Sequence, residues 1–360
     1  MSIEIILAPQ LLTADLPGIG GRIKAIPEDF EVEEIPAYEP SGGGDFLYLW
    51  IEKRDMGAEY FVRQVAKRLD IPVGEVGTAG MKDRHAVTRQ MVSVPGQVED
   101  RLGQLEGDGI RVLKVSRHGN KLRPGHLHGN RFNILVRDPS PGSEQLLQPL
   151  LQRLQSHGMP NFYGPQRFGH DGETFRQGLA LLREEKPPLS ATGRVPNFRS
   201  PFLRKLALSA VQSGLFNHYL AERMKAGLLR RVLPGDVMAK VPFGGMFVAE
   251  DVAREQERFD AGEIVPAGPI FGRKTFPAAG EAAAREQETL RAFKLSPSSF
   301  AGFGKLMQGT RRHNLVALTN LSAAMEADGV RFSFSLPAGS YATVLLRELM
   351  KTTVSGEDFS

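Results

Sequence analysis

Apolar and polar positions alternate early in this chain. Phe30-Glu31-Val32-Glu33-Glu34-Ile35 follows a glycine turn and has the two-residue period of a strand. The loop Pro40-Ser41-Gly42-Gly43-Gly44-Asp45 separates it from Phe46-Leu47-Tyr48-Leu49-Trp50-Ile51, whose continuous apolar run predicts a buried strand. The period then lengthens. Phe61, Val62, Val65, Ala66 and Leu69 recur at helical spacing, Arg63, Gln64, Lys67 and Arg68 take the opposite face, and Pro72 marks the stop. Arg131–Arg137 predicts another strand, 138–143 a loop and 144–157 a helix. From about 170 to 304 the texture changes, with a helix expected at 204–225, short strands and loops at 233–245 and 262–280, and a charged helix at 280–292. Strand patterning returns at 314–318 and 330–336, and Tyr341 to Met350 closes as an amphipathic helix. Strands at both ends around a different middle suggest one α+β domain interrupted by an insertion. No internal repeat or low-complexity tract is visible.

Composition narrows the chemistry. At 360 residues, with 41% hydrophobic and 24% charged side chains, the chain reads as a soluble globular protein of one or two domains. No apolar run approaches the ~18 residues of a membrane span, and Met1–Leu7 lacks the basic start of a secretion signal. A cytoplasmic location and a monomer are the defaults. With no cysteine, disulfides, thiolate catalysis and zinc–cysteine sites are excluded. The net charge is only +4, but it is unevenly spread. Residues 114–131 hold Lys114, Arg117, Lys121, Arg123 and Arg131 with three histidines and no acid. Residues 199–231 hold seven cations, from Arg199 to Arg231, against Glu222 alone. Such stretches fit a phosphate backbone, or a merely solvated basic face.

The segment from Gly77 to Gln90 is the richest in chemistry. It sets Asp83 between Lys82 and Arg84, after a turn with two glycines. Neighbouring cations favour the ionised acid, although a solvated surface turn would have the same composition. His126 and His128, with His118 nearby in sequence, offer no evident third ligand, which makes a metal site weak. Gly302-Phe303-Gly304-Lys305 lacks both the glycine spacing and the following hydroxyl residue of a phosphate loop.

Five segments in order carry a resemblance. They are Pro27-Glu28-Asp29-Phe30-Glu31-Val32-Glu33, Gly80-Met81-Lys82-Asp83-Arg84-His85-Ala86-Val87-Thr88-Arg89-Gln90, and Gly125-His126-Leu127-His128-Gly129-Asn130-Arg131-Phe132. Asn161-Phe162-Tyr163-Gly164-Pro165-Gln166-Arg167-Phe168-Gly169 and Leu336-Pro337-Ala338-Gly339-Ser340-Tyr341-Ala342-Thr343 complete the set. Together they resemble the TruD family of tRNA pseudouridine synthases across nearly the whole chain. Met81 stands where leucine is commoner, and Pro165 where an acid is commoner. The resemblance implies a pseudouridine synthase catalytic domain, with a mixed or antiparallel sheet flanked by helices, interrupted by an α/β insertion domain. The expected boundaries are 1–165 and 305–360 for the catalytic domain and 166–304 for the insertion.

The resemblance also implies the reaction. Uridine in RNA is isomerised: N1–C1′ breaks, the uracil turns, and C5–C1′ forms, with no cofactor. It implies tRNA as partner, with uridine 13 of tRNA-Glu as the bacterial precedent, and places the catalytic aspartate at Asp83. A carboxylate beside C1′ can attack it, stabilise an oxocarbenium-like centre or remove a nearby proton; the sequence leaves the three open. Phe30, Asn130 and Phe334 take uridine-pocket roles by resemblance. An asparagine offers a donor and an acceptor to a uracil edge, and a ring stacks on a flipped base for about 1–3 kcal/mol. Plain core packing is the competing reading for Phe30, Phe132 and Phe334, and Phe132 is read as mostly structural. Lys82 and Arg84 either hold Asp83 or bind phosphate; Gln166 and Arg167 are either RNA or hinge contacts, or structural. The alternative from another class is a non-catalytic RNA-binding protein of the same fold.

Overall fold

A computed structural model describes residues 3–352 apart from 187, 190–192, 194–197, 199, 243 and 319, so Arg199 of the second basic stretch lies outside the described residues. In chain order the strands are β1 Phe30–Pro36, β2 Phe46–Arg54, β3 Gly77–Thr78, β4 Val87–Pro95, β5 Ile110–His118, β6 Leu127–Arg137, β7 Met159–Pro160, β8 Val237–Lys240, β9 Met246–Val248, β10 Ile264–Ile270, β11 Thr310–His313, β12 Leu315–Val316, β13 Ser322–Glu326 and β14 Gly329–Pro337. The α-helices are α1 Glu4–Leu7, α2 Ala58–Arg68, α3 Ser143–His157, α4 Glu173–Leu182, α5 Pro201–Lys225, α6 Val252–Asp260, α7 Gly280–Ala292 and α8 Ala342–Met350. No helix among the described residues is long and apolar enough to cross a membrane.

Contacts divide the chain into two units. One, the sheet unit, contains Asp15–Gln155, Leu318–Ala342 and the chain from Leu346 onward. Its eight strands run in the order β13-β14-β6-β1-β4-β2-β5, with β3 paired to β4. The β1–β4 pairing is parallel and the other pairings antiparallel, which makes this a mixed sheet. The apolar stripe of α2, Phe61, Val65 and Ala66, with Leu69 at its C-cap, packs on Leu47, Leu49 and Ile51 of β2 and on Val92 and Val94 of β4. This is the burial that the helical period predicts. Asp29, 1% exposed, takes three hydrogen bonds of 2.8–3.0 Å from Arg137 at the end of β6. The turn before β1 is thereby pinned to the sheet. Burial alone would raise the Asp29 carboxyl, but Arg137 outweighs it and holds the group below its ordinary value.

Four strands of this sheet, β4, β5, β13 and the two-residue β3, were not expected from periodicity. In β4 the buried positions include Thr88, Gln90 and Ser93, so polar residues interrupt the apolar alternation. In β5, an edge strand, Ile110 and Val112 pack into the core while Leu113 and Val115 are exposed, so apolar residues fall on both faces and mask the period. The basic stretch is therefore partly a charged sheet edge, a usual protection against edge-to-edge pairing. Arg117 binds Glu99, and Lys121 the Gly74 carbonyl. The strand expected at 314–318 is a second difference. Asn314, 1% exposed, separates β11 from β12 and donates its N–H to the Pro266 carbonyl at 2.8 Å.

The other unit, the helical unit, contains the chain up to Ala14, Ser156–Ala317 and Thr343–Leu345. Its four-stranded sheet, β11-β10-β8-β9, is antiparallel throughout. The core gathers Phe168, Phe175, Val211, Leu215, Phe271, Phe293 and Phe300 around α4 and α5. Gly178 permits the close helix approach: a Cβ there would sit 2.2 Å from the Ala207 carbonyl oxygen. Arg223 and Asp236, 1% and 3% exposed, form a two-pronged buried pair at 2.7 and 2.5 Å. Arg223 also donates to Tyr219 Oη and to the Leu228 and Arg231 carbonyls, so its donors are satisfied without water.

Candidate active site

Between β3 and β4 the chain from Ala79 to Ala86 has no helix or strand, and Met81 is 85% exposed. Ionisable side chains tether this loop. The Lys82 ammonium turns inward onto Glu34 of β1, with both side chains buried. The second Glu34 oxygen accepts the Met91 N–H of β4 at 2.9 Å. Lys53, at the end of β2 and 0% exposed, donates to the Asp83 carbonyl at 2.9 Å and to the Met56 carbonyl at 2.5 Å. His85 Nδ1 lies 2.9 Å from Asp55 Oδ1. The Asp83 carboxyl, 32% exposed, stands 3.8 Å from the Lys24 ammonium.

Lys24 connects this loop to the aromatic residues. Its ammonium lies 4.3 Å from the Phe30 ring centroid, with its side chain 4% exposed. Its backbone is left-handed, at φ 57°, a conformation that costs a non-glycine residue about 1–2 kcal/mol. Phe30 meets Phe132 edge-on at 6.2 Å, and Phe132 stacks on Phe334 at 5.1 Å with a 21° interplanar angle. Register explains the cluster. Lys53 pairs with Thr88, Thr88 with Val32, Val32 with Phe132 and Phe132 with Phe334, so these side chains share one sheet face. Two residues along β1 and β6, Glu34 pairs with Asn130 on that same face, and Asn130 with Leu336 of β14. Gly129 beside it must lack a side chain, because a Cβ would lie 2.3 Å from the Leu336 carbonyl oxygen.

Polar atoms on this face are buried without partners. Asn130 Oδ1, Gln90 Oε1 and Thr88 Oγ1 each lack a hydrogen bond among the described residues. An orphaned buried oxygen costs about 1–3 kcal/mol, which a ligand N–H or a water would recover. A carboxylate beside an ammonium, three packed rings and unpaired amide and hydroxyl oxygens thus gather at one face of the sheet. Such a set can hold a planar heterocycle with edge donors next to an anionic group.

The residues expected from sequence divide unevenly. Asp83 and Phe30 are joined through Lys24, Phe30 and Phe334 through Phe132, and Asn130 stands opposite Glu34, the residue that holds Lys82. Arg84 is exposed. The cation nearest the Asp83 carboxylate is Lys24, not its sequence neighbours, because Lys82 turns away to a buried acid. Phe132, read as structural, is the least covered ring at 6%, against 0% for Phe30 and 1% for Phe334. Lys24, Glu34 and Lys53 were missed. Lys24 lay in a glycine-rich turn, and Glu34 and Lys53 looked like solvated charges on strands, with only their inward register to betray them. His126 Nδ1 bonds Tyr38 Oη at 2.7 Å, and His118 stacks on the same ring. In the helical unit, Arg167 donates to Ser213 Oγ at 3.2 Å, and Asn161 accepts from Arg312 at 2.7 Å.

Residues 7–188 and 194–349 match the family model described as tRNA pseudouridine synthase D (TruD). A tRNA pseudouridine synthase D of Anaeromyxobacter dehalogenans strain 2CP-1 is 46% identical over 342 residues, 94% of this chain and 95% of the relative. A protein of that name from Thermus thermophilus is 43% identical over 352 residues, covering 97% and 94% of the two chains. A crystal structure from Methanosarcina mazei bearing the TruD name superposes with a TM-score of 0.79 over 99% of this chain and 98% of its own; at 24% identity it speaks for the fold. Five motifs in order, a mixed sheet that collects their side chains on one face and relatives aligned nearly end to end lead to one conclusion: this chain belongs to the TruD family of tRNA pseudouridine synthases.

Proposed function

We propose that this protein isomerises uridine to pseudouridine in tRNA, at uridine 13 of tRNA-Glu, in the cytoplasm, with Asp83 as the catalytic aspartate. The observation that carries the reading is the Asp83 carboxylate, part exposed on a tethered loop beside Lys24, whose ammonium also lies over the Phe30 ring. Lys24 orients the carboxylate. A uridine flipped from the RNA lies with C1′ against Asp83, and its base meets the aromatic cluster. Cleavage of N1–C1′ places positive charge on the ribose, which the carboxylate stabilises or captures. The uracil turns, C5 bonds to C1′, the C5 proton leaves and N1 takes a proton. Release of tritium from tRNA labelled at uridine C5 therefore measures the reaction, and mapping of the labelled position tests the choice of uridine.

Asn130 reads the base edge in this account. Its orphaned Oδ1 accepts the uracil N3–H. Asn130→Ala should slow single-turnover tritium release roughly 10- to 100-fold, as expected for one lost buried hydrogen bond. The tRNA dissociation constant should stay within about twofold, because phosphate contacts supply most affinity. Equal losses in rate and affinity would refute this role. Binding should also weaken steeply with salt, by about 0.7–0.9 in the log–log slope for each neutralised phosphate. A flat response between low and physiological salt would remove the basic surface from the account.

A further inference from the structure

From the geometry of the Asp83 loop we infer that Lys53 is a positioning residue for the isomerisation, holding the Asp83 main chain, and hence its carboxylate, at the reacting carbon. This inference rests on Asp83 being the catalytic acid. Lys53 lies on the inward face of β2, paired with Thr88 on one side and Ile110 on the other. Its ammonium is fully buried and ends on two main-chain oxygens, those of Met56 and Asp83. It therefore joins the β2–α2 turn to the catalytic loop at the residue that carries the acid. From Ala79 to Ala86 no strand or helix holds the backbone, so a side-chain donor does what ladder hydrogen bonds do elsewhere.

The charges facing Lys53 come from the loop, as Asp83 and Lys82, and from the turn after β2, as Asp55. Burial dominates and lowers its ammonium to about 8, from an ordinary value of 10.5. Below that pH both carbonyls receive charge-assisted bonds; above it a neutral amine holds them more weakly. Stability moves in the opposite direction. Between about 8 and 10.5 the unfolded chain binds more protons at this lysine than the folded one, so this group makes the fold more stable as pH rises. Deprotonation of Lys53 therefore does not itself favour unfolding across that window.

The test compares full-length wild type, Lys53→Met and Asp83→Asn by single-turnover tritium release, tRNA binding and amide hydrogen exchange. Lys53→Met should lose at least tenfold in rate, keep its tRNA dissociation constant within twofold, and exchange faster across 79–86 while the β2 and β4 amides stay protected. The wild-type rate should fall severalfold as pH passes about 8, and that fall should be absent from Lys53→Met. A folded Lys53→Met with a rate within twofold of wild type, or with rate and affinity reduced equally, overturns the proposal. Should this variant not fold, a wild-type rate that stays flat from pH 7 to 9.5 overturns it. Substantial turnover by Asp83→Asn would remove the catalytic reading beneath it. An inactive Asp83→Asn beside a fully active Lys53→Met would remove only the role of Lys53.

Discussion

Asp83→Asn should reduce tritium release to below a few per cent of the wild-type rate while tRNA still binds. The amide is close in size to the carboxylate, so packing is preserved and only the charge and nucleophilicity are lost. An amide neither attacks C1′ nor stabilises a cation there as a carboxylate does. A thousandfold loss corresponds to about 4 kcal/mol of transition-state stabilisation, a reasonable share for a charged group on a partly desolvated site. The Asp83 main-chain oxygen keeps its bond from Lys53, so the loop should hold its course. Retention of more than a few per cent of the rate would remove Asp83 from the chemistry. Wild-type protein that binds tRNA but releases no tritium would instead favour a non-catalytic RNA-binding protein of the same fold. The carboxylate argues against that alternative, since a pure binder gains nothing from an acid that repels phosphate.

Glu34→Ala should have the largest effect on stability, about 3–5 kcal/mol, the usual result of stripping one partner from a buried ion pair. Glu34 is 3% exposed and carries the buried Lys82 ammonium on one oxygen and the Met91 N–H on the other. Its removal leaves an unpaired cation and an orphaned strand amide inside the sheet unit. Lys82 would escape toward water and pull the adjacent Asp83 with it, so the rate should fall as well. Chemical denaturation followed by circular dichroism measures the first effect and tritium release the second. Adding Lys82→Met to Glu34→Ala should restore much of the stability, because removing both charges costs far less than removing one. A stability loss of under about 1 kcal/mol in the single variant would show that the pair contributes little, as exposed pairs do.

Much of the fold was legible wherever apolar residues followed a period. The stripe of α2, the alternation of β1 and the run of β2 were each readable, because burial on one face imposes its spacing on the sequence. β4 escaped because its inward positions carry Thr88 and Gln90, polar residues that face the candidate site rather than an apolar core. β5 escaped because its outward positions also carry apolar residues, Leu113 and Val115, which blur the inward pair Ile110 and Val112. At the site, Asp83 and Asn130 stood out through motif context, whereas Lys24, Lys53 and Glu34 resembled ordinary surface charges.

The order of residues alone determined the α+β class and the family, and singled out the acid in the lysine–aspartate–arginine turn as the candidate, since local period and contiguous motifs are one-dimensional properties. Tertiary structure decided which cation faces that acid. Lys82 adjoins Asp83 in the chain yet pairs with Glu34, while Lys24 arrives from 59 residues away through a left-handed turn. The reason is that charge pairing depends on burial and on strand register, which bring distant segments to one sheet face and turn near neighbours away.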